Sequence, residues 1–171
     1  MNYNARLGIE LRPIETYDDK YVVPWRNAAR SSFFNTEVVT PDTHKLFVEN
    51  RKPHDLVWMA LDTHCSEPIG MVSLTVNAKA YIAEFGRLFV APEHRSKGFG
   101  KSITLTAMSY GFDILRLCDL YLYTKSADKE ALALYLRLGW ETRNEDLGRI
   151  CMAYSCMKWE ERGNADCNAG K

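Results

Sequence analysis

Apolar and polar residues follow one another in patterns that predict both strands and helices along the chain. The segment "IELRPI" predicts a short strand, and "TYDDKYVVPWRNAARSSFF" predicts an irregular helix broken by Pro24. A second helix is predicted over "PDTHKLFVENR", with Thr40 as its N-cap and Pro41 at its first position. The runs "DLVWMALD", "EPIGMVSLTV" and "AYIAEFGRLFVA" then read as strands joined by connections of hairpin length, so we expect an antiparallel meander.

After the meander the pattern changes to alternating helices and strands. A glycine-containing loop leads into a helix to about Arg116, followed by the strand "DLYLYT" and the helix "DKEALALYLRLG", with Gly139 as its C-cap. The run "WETRNEDLGRICMAYSCMKW" predicts two more strands. This order predicts one α+β domain over residues 1–160, with a mixed sheet covered by helices on both faces, and a disordered tail over residues 161–171.

Composition excludes several classes of protein. The 171 residues are 46% hydrophobic and 26% charged, which is typical of one soluble globular domain, and we expect a cytoplasmic location. Lys plus Arg and Asp plus Glu number 22 each, so no global field favours a nucleic acid or a membrane as partner. The five cysteines include no C-x-x-C pair and the histidines have no metal spacing, so we expect neither a disulfide framework nor a metal site.

The segment "APEHRSKGFGKS", from Ala91 to Ser102, has the composition of a phosphate-binding loop. A Walker A loop would need a glycine where Arg95 stands, and a Rossmann fingerprint would need one where Ile103 stands. The string R-x-x-G-x-G remains, between an apolar strand and an apolar helix. The N–H groups of a helix N-terminus attract anions, and Gly98 and Gly100 leave the backbone accessible. The glycines alone leave open the alternative of a solvated basic turn.

The stretch "EFGRLFVAPEHRSKGFGKS" resembles the central signature of the GNAT superfamily of acetyl-CoA-dependent N-acetyltransferases, V-x-P-x-x-R-x-x-G-x-G. The matching residues are Val90, Pro92, Arg95, Gly98 and Gly100. Further on, "ALALYLRLGW" is similar to the A-x-x-L-Y-x-x-x-G-F helix of that superfamily, with a tryptophan in place of phenylalanine. The two motifs stand in the family's order, and the likeness extends from residue 8 to about residue 160. It implies a GNAT-like sheet that is splayed at its centre to admit acetyl-CoA as co-substrate.

The resemblance also implies which residues bind the cofactor. The diphosphate of coenzyme A would be held by the loop residues Arg95, Ser96, Lys97, Gly98, Phe99, Gly100 and Lys101. The pantetheine arm would pair like an extra strand with Leu88, Phe89 and Val90, and an N–H of Phe89 or Val90 would polarise the thioester carbonyl. Asp128 is a further cofactor-binding candidate at a position where the family often has asparagine, and it can also serve as a helix N-cap.

Two residues are candidates for catalysis. An amine acceptor must lose a proton, and Glu84 is the candidate base because strict alternation would put it on the same strand face as Leu88 and Val90. Related acetyltransferases resemble this chain in carrying a glutamate base there. The alternative is a surface glutamate that pairs with Arg87. We expect Arg87 itself to be structural and to point to the opposite face of the strand. Tyr135 is the candidate acid for the departing thiolate, the alternative being a core tyrosine.

The sequence therefore predicts an N-acetyltransferase that moves acetyl from acetyl-CoA directly to a primary amine of a small molecule. An amino sugar is one candidate acceptor, because "WRN" at Trp25–Asn27 looks like the segment found in acetyltransferases of nucleotide amino sugars and of N-terminal amines. The alternatives are acetylation of a protein N-terminus or lysine, transfer of a different acyl group, and a non-catalytic acyl-CoA-binding module. The expected partners are a small-molecule or peptide amine, and the chain is expected to be a monomer or homodimer.

Overall fold

A computed structural model describes residues 8–168, with side chains as far as residue 163. The strands are β1 Ile9–Pro13, β2 Asp55–Asp62, β3 Pro68–Asn77, β4 Ile82–Val90, β5 Asp119–Lys125, β6 Glu141–Asp146 and β7 Arg149–Ser155. The helices are α1 Asp19–Ala28, α2 Pro41–Glu49, α3 Phe99–Ser109, α4 Lys129–Leu138 and α5 Cys156–Asn168. Among the described residues, no helix is long and apolar enough to cross a membrane.

The strands form one sheet in the order β1-β2-β3-β4-β5-β7-β6. All neighbours are antiparallel except β4 and β5, which run parallel. This parallel pair is joined only where Ile82, Ala83 and Glu84 face the first residues of β5. Beyond Glu84 the two strands separate, and each continues without the other as neighbour. The predicted mixed sheet with a central splay is therefore confirmed.

A β-bulge at Arg87 interrupts the alternation of β4, and the φ angle of Arg87 is 50°. Phe85 and Phe89 are four residues apart, so a regular strand would direct both side chains to one face of the sheet. Phe85 instead meets the ring of Tyr135 on one face, whereas Phe89 stacks on Trp25 on the other. The bulge thus shifts the alternation by one residue halfway along the strand.

Helices cover both faces of the sheet, as predicted, and each face has its own core. The larger core lies under α3, α4 and α5, and the smaller one lies under α1 and α2. Successive residues of β2 alternate between them, because Trp58 and Ala60 belong to the larger core and Val57 and Met59 to the smaller one. A central strand that is buried on both faces reads as a continuous apolar run, which is the pattern of "LVWMAL".

Three segments differ from the expectation. Helix α1 continues through Pro24 instead of breaking there, and α3 is followed by a π-helical turn, Tyr110–Ile114. The chain from Cys156 onward is helix α5 and not strand. This helix extends to Asn168, so residues 161–168 of the predicted disordered tail are helical, whereas residues 169–171 lie outside the described residues.

Tertiary contacts explain why α5 is helical despite its polar sequence. The ring of Trp159 stacks on Phe112 with centroids 5.6 Å apart, and its indole N–H donates to Asp113 at 2.9 Å. Arg162 donates to the carbonyl oxygen of Leu138 at 3.3 Å. Contacts of this kind are not visible in local periodicity, because they join residues far apart in the chain.

The turn between β1 and α1 contains an ion pair whose carboxylate is buried and whose arginine, Arg12, is partly exposed. The carboxylate of Asp18 accepts two hydrogen bonds from Arg12, at 2.8 and 3.1 Å, and its side chain is 1% exposed. We expect Arg12→Ala to lower the free energy of unfolding by about 3 kcal/mol, because it leaves a buried carboxylate without its cation. Urea denaturation measures this change. The control is Arg143→Ala, which removes an exposed ion pair with Glu141 and should have little effect, and equal losses in both variants would contradict the prediction.

Candidate active site

The separation of β4 from β5 opens a cleft of about 1430 Å³. Glu84 lies at its inner end, because it is the last residue of β4 that pairs with β5. One wall comes from α4 with Tyr135, and another from the segment after α1 with Phe33 and Phe34. The glycine-containing loop between β4 and α3 forms the rim. The cleft thus brings the two predicted catalytic residues and the predicted phosphate loop to one cavity.

The loop has the geometry of an anion-binding site. Gly98 is the N-cap of α3 with φ of 84°, and no side chain caps the helix there. Ser96 also has a positive φ, 59°. A Cβ atom added to Gly98 would meet no atom within 4 Å, so the backbone there borders open space. The first-turn N–H groups of α3 are therefore available to a diphosphate, which fits the predicted cofactor.

Arg95 makes contacts with β4 rather than with the helix N-terminus. Its Nε donates to the carbonyl oxygen of Val90 at 3.2 Å, and its guanidinium lies over the ring of Phe89 at 5.3 Å. The other predicted loop residues that line the cleft are Ser96, Gly98, Gly100 and Lys101, whereas Lys97 and Phe99 belong to the loop without lining it. The ring of Phe99 packs edge-on against His94.

The hydrogen-bond register distinguishes the two backbone N–H groups that are candidates to donate to the thioester carbonyl. The N–H of Ala91 donates to Ile69 of β3 at 2.8 Å, so Ala91 directs its backbone polar groups toward β3. Because antiparallel residues alternate between outward and inward pairs, Val90 directs its N–H into the cleft. Phe89 opposes Met71 and directs its own N–H to β3. Val90, and not Phe89, therefore has the free N–H at this edge.

The bulge corrects the expected orientation of Glu84. Leu88 and Val90 pack against the larger core, on the face that Phe85 occupies. Glu84 is the neighbour of Phe85 on the regular part of the strand, so its side chain faces the side of α1 and α2. The expectation that Glu84 shares a face with Leu88 and Val90 is therefore wrong. Glu84 approaches the cleft from the opposite side of the sheet, which it can do because β5 is absent beyond it.

Arg87 lies on the same side as Glu84, contrary to the expectation. Its guanidinium is 5.3 Å from the ring centroid of Phe47 on α2, and it donates to Oγ of Ser73 at 3.2 Å. Ser73 lies two residues before Thr75, which is the residue of β3 opposite Glu84. No ion pair joins Arg87 to Glu84 in the described part of the chain. Glu84 is thus not held as the structural partner of Arg87.

Two carboxylates flank a threonine in a row across three strands. Asp55 of β2 opposes Thr75 of β3, and Thr75 opposes Glu84 of β4. The hydroxyl of Thr75 donates to Oδ1 of Asp55 at 3.0 Å. Burial, and after it the charge of Glu84, raises the pKa of the neighbouring Tyr121. Asp55 and Glu84 both line the cleft, and among residues 8–163 neither is paired with a cation, so this row can bind an ammonium group.

Tyr135 lines the cleft from the other side of the sheet. Its side chain is buried, and its ring packs edge-on against Phe85 and Trp140, with centroids 6.0 and 5.9 Å away. Burial, and then the charge of Asp128, raises the pKa of Tyr135, so its hydroxyl keeps its proton at neutral pH. Asp128 accepts from the N–H of Ala131 at 3.1 Å, so it caps α4 as predicted.

The profile described as "Acetyltransferase (GNAT) family" matches residues 19–140. The chain belongs to this family. The match confirms the predicted family, the acyltransferase class of the enzyme and acetyl-CoA as its co-substrate. It spans α1 through the second residue after α4, Trp140, and so includes every predicted catalytic and cofactor-binding position.

Proteins of two bacteria that are named spermidine N-acetyltransferases are similar to this chain. The spermidine N(1)-acetyltransferase of Escherichia coli (strain K12) is 30% identical over 145 residues, which cover 81% of this chain and 75% of that protein. The protein of the same name from Vibrio cholerae serotype O1 is 37% identical over 73 residues, 42% of each chain. A solved structure of spermidine N-acetyltransferase from Vibrio cholerae, in complex with CoA and spermine, has a TM-score of 0.80 over 90% of this chain and 98% of that one. At 24% identity this last likeness shows a shared fold.

Several residues of this GNAT cleft were not predicted. Asp55, Ser73 and Thr75 reach it from β2 and β3, and Arg26 reaches it from α1. Nothing in the local sequence marks the first three, since they look like ordinary positions of two apolar strands. The isolated glycine before Arg87, in "EFGR", is a signal for a bulge that could have been used to place Arg87.

Gly100 offers a test of the phosphate loop. We expect Gly100→Asp to abolish the rise in melting temperature that acetyl-CoA causes, because a carboxylate would face the diphosphate. The apo protein should stay folded, since an acid near a helix N-terminus is favourable to that helix. Thermal-shift measurements with and without acetyl-CoA provide the readout. The control is Gly100→Ala, whose Cβ would have only ordinary contacts, the nearest at 3.5 Å from Leu134. A normal shift in the aspartate variant would contradict binding at this loop.

Proposed function

We propose that this GNAT acetyltransferase transfers acetyl from acetyl-CoA directly to the primary amine of a small aliphatic molecule. The observation that carries the proposal is the position of Glu84 where β4 and β5 separate. From there the carboxylate faces the side of α1 and α2. The phosphate loop lines the same cleft at its rim, and Tyr135 lines it from α4. Amine and thioester can then meet at the splay without a covalent enzyme intermediate.

Glu84 would remove the proton of the bound ammonium. An alkylamine with a pKa of about 10.4 is almost fully protonated at pH 7, and reaching the neutral form costs about 4 to 5 kcal/mol. A carboxylate can accept the proton directly or through a water. Asp55, two strands away in the same row, would hold the ammonium beside Thr75 by its charge.

The edge of β4 would hold the thioester. The N–H of Val90 faces the cleft and would donate to the oxyanion that forms when the amine attacks, a contribution of about 3 to 4 kcal/mol for one such donor. Because Arg95 uses the carbonyl oxygen of Val90 in the present state, pairing of the pantetheine arm there would displace the Arg95 side chain.

Tyr135 would return a proton to the departing thiolate. The raised pKa of Tyr135 makes its hydroxyl a weaker acid than a free phenol, which acts against the transfer. The thiolate, however, departs into the same apolar cavity, and the loss of solvent raises the pKa of its thiol as well. The difference between the two acids is therefore smaller than the pKa of Tyr135 alone implies.

The identity of the acceptor belongs to the same proposal. The two relatives are named spermidine N(1)-acetyltransferases, so polyamines are the first acceptors to assay. Nothing in the comparisons favours the amino sugar. A peptide amine remains the alternative acceptor, and the presence of both Glu84 and Tyr135 in the cleft weighs against a non-catalytic module. A monomer or homodimer in the cytoplasm stays a prediction.

Glu84→Gln tests the base. We expect kcat/KM for the amine to fall at least about tenfold at pH 7, with partial recovery as pH rises, because the amine then loses its proton to solvent. The affinity for acetyl-CoA should stay unchanged. Release of CoA, followed over a series of pH values, measures the effect. An activity and pH profile equal to those of the unmodified protein would remove Glu84 from this role.

Tyr135→Phe tests the acid, because it keeps the ring and its packing and deletes only the hydroxyl. We expect near-normal melting temperature and acetyl-CoA binding, with kcat reduced at least about tenfold, equivalent to about 1.4 kcal/mol of lost transition-state stabilisation. Tyr110→Phe is the matched control, because Tyr110 packs against Trp58 in the larger core away from the cleft. Full activity in Tyr135→Phe would leave water or another hydroxyl as the proton donor.

A further inference from the structure

Two arginines without an acidic partner face the side of the cleft toward α1 and α2, which we call the acceptor side. Arg26 reaches the cleft from α1, and Arg87 reaches it from the bulge in β4. Within the described ranges, neither guanidinium is within ion-pair distance of a carboxylate. Two cations that share a cavity repel one another, so their arrangement is unfavourable unless an anion joins them.

Arg26 has an unsatisfied donor. Its guanidinium lies 3.5 Å from the ring centroid of Phe33, and its Nη1 is buried with no hydrogen-bond partner. Burial, and after it repulsion by the charge of Arg87, lowers the pKa of Arg26. A buried donor of a charged group that lacks an acceptor costs free energy. A bound ligand with acceptor oxygens would remove that cost.

Arg87 is held in an uncommon conformation. A φ angle of 50° is unfavourable for a residue with a side chain, and such strain is often found at functional positions. The guanidinium donates to Ser73 and lies over the ring of Phe47. One of its five N–H donors is used in that hydrogen bond, and the fork keeps further donors for a planar anion.

The acceptor side therefore has an acidic part and a basic part that begin two residues apart on β3. The acidic part is the row at Thr75, and the basic part begins at Ser73, where Arg87 donates. Two residues along a strand span about 7 Å. An extended chain of about five bonds covers a similar distance. A flexible aliphatic amine with an anion at its other end can reach both parts.

We propose that the acceptor is a small primary amine that also carries a carboxylate, with its ammonium group at Asp55 and Glu84 and its carboxylate at Arg26 and Arg87. This rests on the proposed acetyltransferase function and specifies the substrate class of the same site. A polyamine has a second cation where these acceptors have their carboxylate, so it would meet the arginines with like charge. The diphosphate of CoA does not account for the two arginines, because its loop lies beyond Val90 and both arginines are on the side of α1 and α2.

Three acceptors of equal chain length test the proposal: 5-aminopentanoate, pentylamine and 1,5-diaminopentane. Each presents the same reacting amine, and they differ only in the group at the far end. We expect kcat/KM for 5-aminopentanoate to exceed the values for both others by at least about tenfold, measured by CoA release. Spermidine is assayed in parallel. Equal or higher kcat/KM for spermidine or 1,5-diaminopentane would overturn the proposal and leave the acetyltransferase function standing, whereas inactivity toward every acceptor would overturn both.

Arginine variants supply the second arm of the experiment. Arg26→Gln and Arg87→Gln should each lower the ratio of kcat/KM for 5-aminopentanoate to kcat/KM for pentylamine at least about tenfold, because only the first acceptor loses a bound carboxylate. Arg26→Lys and Arg87→Lys, which keep the charge, should retain part of the preference. Arg143→Gln, on exposed β6, is the control. If both glutamine variants fold and keep the full preference, the carboxylate does not bind at these arginines.

Discussion

The parting of β4 and β5 after Glu84 is the constraint on which the rest of the cleft depends. Three residue pairs join these strands, and then the edge of β4 is left without a neighbour in the sheet. An unpaired strand edge inside a domain has polar groups that a ligand can satisfy. The N–H of Val90, which points into the cleft, is such a group. The same gap connects the two faces of the sheet. Glu84 on one face and Tyr135 on the other can therefore serve one reaction.

The bulge at Arg87 gives the two ends of β4 different tasks. Before it, Phe85 packs toward Tyr135 and Glu84 faces the acceptor side. After it, Leu88 and Val90 turn to the larger core and Phe89 turns to Trp25. Without the extra residue, Phe89 would lie on the opposite face, and α1 would lose the aromatic contact on which it packs. The strained φ of Arg87 is thus compensated by packing on both sides.

What the sequence could predict was local. The glycine pattern forecast an accessible helix N-terminus, because Gly98 has the positive φ that glycine accepts without strain. Thr40 and Asp128 were recognisable as caps, because capping depends on residues within one turn. The orientation of Glu84 was missed, because one inserted residue reverses every side chain beyond it. Asp55 was missed because its role arises from pairing with Thr75, twenty positions along the chain.

Family membership says more about the acetyl donor than about the acceptor. The proposed donor site consists of backbone groups at a glycine loop and a strand edge, which any chain with this fold and these glycines presents again. The proposed acceptor side consists of side chains from α1, β2, β3 and the bulge, where a single substitution changes the charge. At 30% identity a relative named for spermidine can share the first arrangement and differ in the second. If the proposed acceptor site is right, the charges of Arg26 and Arg87 bear on acceptor choice more directly than the likeness does, because both would repel a second cation on the acceptor.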